Sequence, residues 1–600
     1  MANLSPVKEA QVVQSGHVSD VKFDGDLEFV HEYGGNFSKP SYQEASGAPV
    51  ESVSPLGLQV TWFTTIFLNI GQMIGTGVFS TREFSPCSSP RTFQEVLKAA
   101  TILKGVGSVG LSLIFWALGL LIAGCQLAVY TELASYFPNR SGAEVVYLEQ
   151  AYPRPKYLLP TAFAVQSVLL SFSSSNAIVM AEYLYATGGY TPSAWQLKGL
   201  ASACMTFIIL LVIFSTKWSL RLSNAVGVIK IITLLFISVT GLVVLGGHTR
   251  VKNPRANFQN SFEGTTGSGY GLANALVKIN FAYAGYTNAF NVVNEVKHPI
   301  KTLKRTAPGS LLIVAILYIL CNVAYFAAVP KASLKTSNQL AASLFFTAVF
   351  GSRNSSRALN FLIALSAFGN IVSVIIGSSR IIRECGRQGV LPFPHVWAST
   401  KPFGTPLAAY GLKWGLTLLM ILAPPAGDAF NFIVDLQSYP SNVFLFITTF
   451  GLFLIRRHRS RIGIERGEFR TWYAAIIFSL AVNVFLLVMP WYPPAGGRYG
   501  GDVTFWYATY CAVGLGILGL CGVYHAFWIY ILPHFGKYRI RQELLALEGE
   551  TAKTHRLVKV PLAELGTWDA EHDVLGQKLG SVPDSRNGSQ MGEYFGEKNE

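Results

Sequence analysis

Runs of about twenty apolar residues recur along this 600-residue chain, and each is long enough to cross the hydrocarbon core of a bilayer as a helix. That recurrence constrains the fold more than any other feature. Half of the residues are apolar and 13% are charged, against roughly 25% charged in a typical soluble protein. The fold class is therefore all-α polytopic membrane protein. Twelve runs are counted, near 58–81, 106–135, 157–187, 195–216, 222–246, 268–293, 307–330, 357–382, 405–423, 428–455, 471–490 and 503–532. A further apolar stretch at 338–350 is too short to span and reads as an amphipathic or re-entrant piece of an external loop.

Charge divides the chain into three parts. The membrane domain, 56–534, holds 35 Lys/Arg against 14 Asp/Glu, whereas the tails, 1–55 and 535–600, hold 12 against 19. Basic residues between spans set topology rather than a nucleic-acid footprint, which would need them clustered on one soluble face. With the N-terminus inside, inner loops carry 19 Lys/Arg and outer loops 13, so both termini are expected in the cytosol. The tails, rich in Gly, Ser and acids, read as mostly disordered, with Lys8, Lys22 and Lys39 as candidate modification sites. No secretory signal peptide is evident at the start, and Asn354 is the sequon expected on the outside. The seven cysteines form no CxxC pair, so neither a disulfide scaffold nor a metal site is expected.

Two of the spans are interrupted. The first contains Ile74-Gly-Thr-Gly-Val-Phe79, where closely spaced glycines favour an unwound point whose following half-helix presents free N–H groups to an anion. Plain close packing of small residues is the competing reading. The sixth contains Asn280-Phe-Ala-Tyr-Ala-Gly-Tyr-Thr-Asn288, where an unwound stretch exposes carbonyls to an ammonium group. Breaks five spans apart fit two inverted repeats, and together they predict a zwitterion site near the bilayer midplane.

Ionisable residues inside spans are costly and point to function. Lys230, in the fifth, is the foremost, with snorkelling toward the inner interface as its alternative. Lys278 and Lys413 receive no role. Glu182, Asp435, Glu132 and Glu144 read mainly as pairing partners, and the basic segment Ser379–Pro392 is expected to close an inner gate against Glu132 or Glu144.

The motifs IGTGVF, Pro138-Asn-Arg-Ser-Gly-Ala-Glu-Val-Val-Tyr147, FAYAGYTNAFNVVNEVKHP and Ser379-Arg-Ile-Ile-Arg-Glu-Cys-Gly-Arg-Gln-Gly-Val-Leu-Pro392 stand in order at the corresponding spans. They resemble the amino acid–polyamine–organocation (APC) superfamily over about residues 56–534, in its L-type amino acid transporter branch, and most closely the fungal high-affinity methionine permeases. The resemblance implies a LeuT-like 5+5 inverted-repeat core with discontinuous helices 1 and 6. It implies that backbone N–H groups of Thr76 and Gly77, with Gly75 permitting the turn, meet a substrate carboxylate. It implies also that carbonyls of Met73, Phe281, Ala282 and Ala284 meet the ammonium, that Phe281 is the external gate, and that Lys230 couples transport to protons.

Residues 82–100 depart from the family pattern and read as a retained intron in the gene model. The loop near 186–196 lacks the cysteine through which animal relatives join a glycoprotein, so no disulfide-linked heavy chain is expected. No Walker, HExxH or GxSxG motif suggests an enzyme or a cofactor. The expected activity is proton-coupled import of neutral amino acids, methionine foremost, across the plasma membrane by alternating access. A broad large-neutral amino acid exchanger and a transport-inactive sensor are the alternatives.

Overall fold

The computed structural model describes residues 18–32, 41–51, 54–75, 99–170, 172–249, 251, 253–336, 341–351, 353–423, 428–494, 497–499, 505–547 and 551–579. Ahead of the membrane domain lie strands β1 Val18–Asp24, β2 Leu27–Glu32 and β3 Ser41–Glu44. Helices then run α1 Trp62–Met73, α2 Ala99–Val106, α3 Val109–Tyr136, α4 Glu144–Ala151, α5 Leu158–Leu169, α6 Ser174–Gly188, α7 Ala194–Phe214, α8 Thr216–Leu245 and α9 Gly269–Tyr283. A 3-10 segment, Asn288–Glu295, precedes α10 Pro299–Ala328, α11 Lys331–Thr336, α12 Ala341–Phe350, α13 Arg353–Arg387, α14 Pro394–Ala398, α15 Leu407–Leu422, α16 Asp428–Arg461, α17 Tyr473–Val488 and α18 Thr509–Ala526. After the membrane domain come β4 Tyr538–Ala546 and β5 Lys553–Pro561.

Local sequence starts these helices where a free backbone N–H needs an acceptor. Thr61 Oγ1 accepts from Thr64 N at the head of α1, Ser193 and Gln196 form a capping box for α7, and Ser215 caps α8. Pro299 opens α10, a position that needs no N–H.

Nine described stretches are long and apolar enough to cross a membrane, in or around α3, α5–α6, α7, α8, α10, α13, α16, α17 and α18. The other three expected spans contain α1, α9 and α15, of 12, 15 and 16 residues. For α9 the shortfall is a helix end inside the protein. The third expected span contains α5, ending at Leu169, and α6, starting at Ser174. The short stretch at 338–350 contains α12, which packs against α10 and α13.

At the centre, α10 packs on α1, α3 and α8, while α13 packs on α1, α6 and α8. The described parts of the tails contain strands. Strands β1–β3 form an antiparallel sheet and β4–β5 a second, and Val30, Ala45 and Leu575 join one buried cluster while Leu27 and Phe29 pack on Ile462. Acids and glycines among these strands leave too little alternation in composition to be read; packing of β2 on Ile462 of the membrane domain and on Leu575 of the other tail buries their apolar residues.

Candidate functional site

Helix α1 ends at Met73, and Ile74 (φ −82, ψ 81) leaves the helical region. Helix α9 ends at Tyr283, with Ala284 at φ −56, ψ 136, followed by Gly285 at φ +113. A Cβ on Gly285 would sit 2.6 Å from Gln72 Cγ and 3.0 Å from Met73 N, so glycine is required both for the turn and for the approach to α1. Gly75 is not left-handed among the described residues; a Cβ there would press on Asn370 Nδ2 at 3.1 Å.

The two interrupted segments hold each other reciprocally. Asn288 Nδ2 donates to Leu68 O at 3.1 Å, and Asn69 Oδ1 accepts from Ala289 N at 2.8 Å. At the other end of α1, Val60 N donates to Glu295 O at 3.1 Å, so the chain entering α1 is bonded to the end of the 3-10 segment.

A helix that ends inside a protein leaves carbonyls without intrahelical donors. Side chains from three helices supply them here. Lys230, 2% exposed, donates from α8 to Gly71 O at 2.9 Å and Ile74 O at 2.5 Å. Asn370, from α13, donates to Gln72 O at 2.6 Å and reaches Gly71 O at 3.3 Å, and Ser366 reaches Ile74 O and Gly75 O at 3.3 and 3.2 Å. Tyr318, from α10, donates to Met73 O at 2.8 Å and lies 3.3 Å from Ala282 O. Asn176 Nδ2 in turn donates to Asn370 Oδ1 at 2.9 Å.

Of the residues expected at the site, Met73, Gly75, Ala282, Ala284 and Lys230 thus come together. The Phe281 carbonyl accepts from Ala284 N at 3.0 Å, while its ring is 53% exposed. Thr76 and Gly77 lie outside the described residues. Lys230 stands fourteen residues into α8, roughly 21 Å from its start, and points at α1, which excludes snorkelling. Tyr318, Ser366, Asn370 and Asn176 escaped sequence reasoning, although a polar side chain in an apolar run was the available signal.

The basic segment after the eighth span is helical to Arg387, and its partners differ from those expected. Arg380 forms a two-pronged pair with Glu295 at 2.8 and 3.1 Å, Arg383 meets Glu51 at 2.6 Å, and Arg387 meets Glu384 at 2.6 Å. Arg140 bridges Glu149 at 2.5 Å and Glu384 at 2.7 Å; burial alone would lower the pKa of its guanidinium, but these carboxylates outweigh it and hold the pKa above its usual range. Glu132 instead pairs with Arg456 at 2.6 Å, and Glu144 accepts from Tyr130 at 2.6 Å. Spacing alone could not choose among these carboxylates because the N-terminal tail supplies Glu51.

Among the described residues, no group of three His, Cys, Asp or Glu is placed to hold a metal. A cavity of about 270 Å3, lined by Leu56, Gln59, Phe214, Thr216, Lys217 and Phe403 among others, includes none of the residues at the helix breaks.

Apolar membrane-crossing helices and two helix ends meeting in the interior, with main-chain carbonyls gathered between them, define a polytopic membrane transporter. The chain belongs to the amino acid permease family, whose sequence model matches residues 60–517. It is similar to the high-affinity methionine permease of Saccharomyces cerevisiae, 36% identical over 524 residues, 86% of each chain. It is also similar to the low-affinity methionine permease of the same yeast, 26% identical over 86% of this chain and 91% of that one. A third relative, the mouse b(0,+)-type amino acid transporter 1, is 28% identical over 72% of this chain and 82% of its own. The relatives are transporters and not enzymes.

Proposed function

We propose that this permease imports neutral L-amino acids, methionine foremost, across the plasma membrane by proton-coupled alternating access, with both termini in the cytosol. The reading takes the core as twelve spans with a 5+5 inverted repeat in which α1 and α9 begin the two halves. The observation that carries it is the pair of helix ends at Ile74 and Ala284, joined through Gly285 against Met73. Substrate carboxylate goes to the N–H groups of Thr76 and Gly77, with Gly75 permitting the turn. Its ammonium goes to the carbonyls of Met73, Phe281, Ala282 and Ala284. The Phe281 ring closes the outer side, and Lys230 couples movement of the first break to a proton. No disulfide-linked heavy chain is needed. Similarity to two methionine permeases of Saccharomyces cerevisiae supports methionine as the substrate.

The test is uptake of radiolabelled methionine in permease-deficient yeast, with and without a protonophore and with unlabelled leucine, arginine or spermidine as competitor. Accumulation that methionine blocks best and the protonophore abolishes is expected. Leucine competing equally, with uptake driven by internal amino acid rather than protons, would replace this reading with the exchanger. Binding without accumulation by a surface-resident protein would make it a sensor.

A further inference from the structure

We propose that Tyr318 is a positioning residue for the ammonium end of the substrate, an inference that rests on the amino acid reading above. Its hydroxyl oxygen stands 2.8 Å from Met73 O and 3.3 Å from Ala282 O, so one side chain on α10 touches both helix ends. A phenol carries one proton and donates fully to one acceptor at a time. Two carbonyls therefore converge on this one hydroxyl; Met73 O also accepts from Gly75 N at 3.0 Å, so the longer contact leaves Ala282 O the poorer served of the two. That deficit matches an ammonium group, which brings three donors and no acceptor.

The hydroxyl does for the carbonyl pair what neither carbonyl can do for itself. Two C=O dipoles pointing at a common spot repel, and a donor between them keeps them convergent. The ring that carries the hydroxyl is fixed from two sides: Trp116 of α3 meets it edge-on at 5.3 Å between centroids, and Tyr283 of α9 lies 5.5 Å away. Tyr283 is itself tied down, donating from its hydroxyl to Trp116 O at 3.0 Å. Tyr318 is fully buried, so its hydroxyl cannot swing aside without moving three helices. The residue acts through the Met73 and Ala282 carbonyls, and its loss should fall on recognition of the amino group alone.

The experiment replaces Tyr318 by Phe in the full chain and measures methionine uptake per surface copy in permease-deficient yeast. It also measures competition by 4-(methylthio)butanoate, which is methionine without its amino group. The expected result is a KM for methionine raised about tenfold, a maximal rate within about twofold, and a preference for methionine over the amino-free analogue reduced by the same tenfold factor. Trp116→Phe, which loosens the ring contact but keeps the hydroxyl, should move that preference in the same direction by less. A loss falling equally on both compounds would assign Tyr318 a structural role and overturn the inference, as would an unchanged preference. A wild-type protein that neither takes up nor binds methionine would remove the amino acid reading and this inference together, whereas normal wild-type behaviour with an unaltered Tyr318→Phe variant removes this inference alone.

Discussion

Lys230 caps the end of α1: its Nζ donates to Ile74 O at 2.5 Å across the interface between α1 and α8. Because Gly71 O shares the same ammonium, the Lys230→Met variant strips a charged donor from two carbonyls at once. Asn370 and Ser366 still reach them, so the break should persist in a looser form. Methionine uptake is expected to fall about tenfold or more, and the residual uptake should lose its protonophore sensitivity. Full uptake with unchanged sensitivity would remove Lys230 from the coupling role.

Asn370→Ala removes the donor to Gln72 O and leaves Asn176 without its partner. An unserved buried carbonyl costs about 1–3 kcal/mol, which predicts a roughly ten- to hundredfold rise in KM. Asn370→Asp, which keeps the size but not the donors, should be no better. Uptake kinetics of the two variants decide this.

At Gly285 the constraint is steric as well as conformational. Gly285→Ala forces a side chain onto Gln72 and into a left-handed backbone, and uptake should be nearly abolished while surface expression survives. An active Gly285→Ala protein would show that the approach of α9 to α1 is not needed.

Arg380 and Glu295 are both essentially buried and bond through two prongs. Removing either alone strands a charge, at about 3–5 kcal/mol. Arg380→Met should therefore lower the thermal midpoint of the detergent-solubilised protein markedly, and adding Glu295→Gln should recover part of the loss. Additive losses in this double-mutant comparison would show that the pair is not coupled.

His555 lies in β5 with no solvent exposure, and burial, reinforced by Arg140 and Arg387, pushes its imidazole down to about 3. The folded form is neutral while the undocked chain takes up a proton near pH 6.5, so docking is fully stable above pH 6.5 and weakens as pH falls toward 3. At pH 5 the loss is about 2 kcal/mol. Amide protection across residues 553–561, taken relative to the intrinsic exchange rate at each pH, should fall between pH 7 and 5, and His555→Leu should flatten that dependence. An identical pH response in wild type and variant would exclude His555 as its source.

What periodicity and local composition control was legible in the amino-acid sequence. Runs of apolar residues set the membrane class, and the Gly75 and Gly285 neighbourhoods announced helix ends because small residues and amides interrupt otherwise helical runs. Lys230 stood out because a lysine within a span must find a partner. Tertiary structure decided which partners are met. The Ile74 carbonyl faces Lys230, Met73 faces Tyr318, and Gln72 faces Asn370, through contacts between residues 156 to 298 positions apart that no local pattern encodes. The same holds for Glu51 and His555, assigned to disordered tails by composition yet buried against the membrane domain. Charge and hydropathy report how a segment meets lipid or water; the acceptor that a buried donor finds is fixed by how the helices pack.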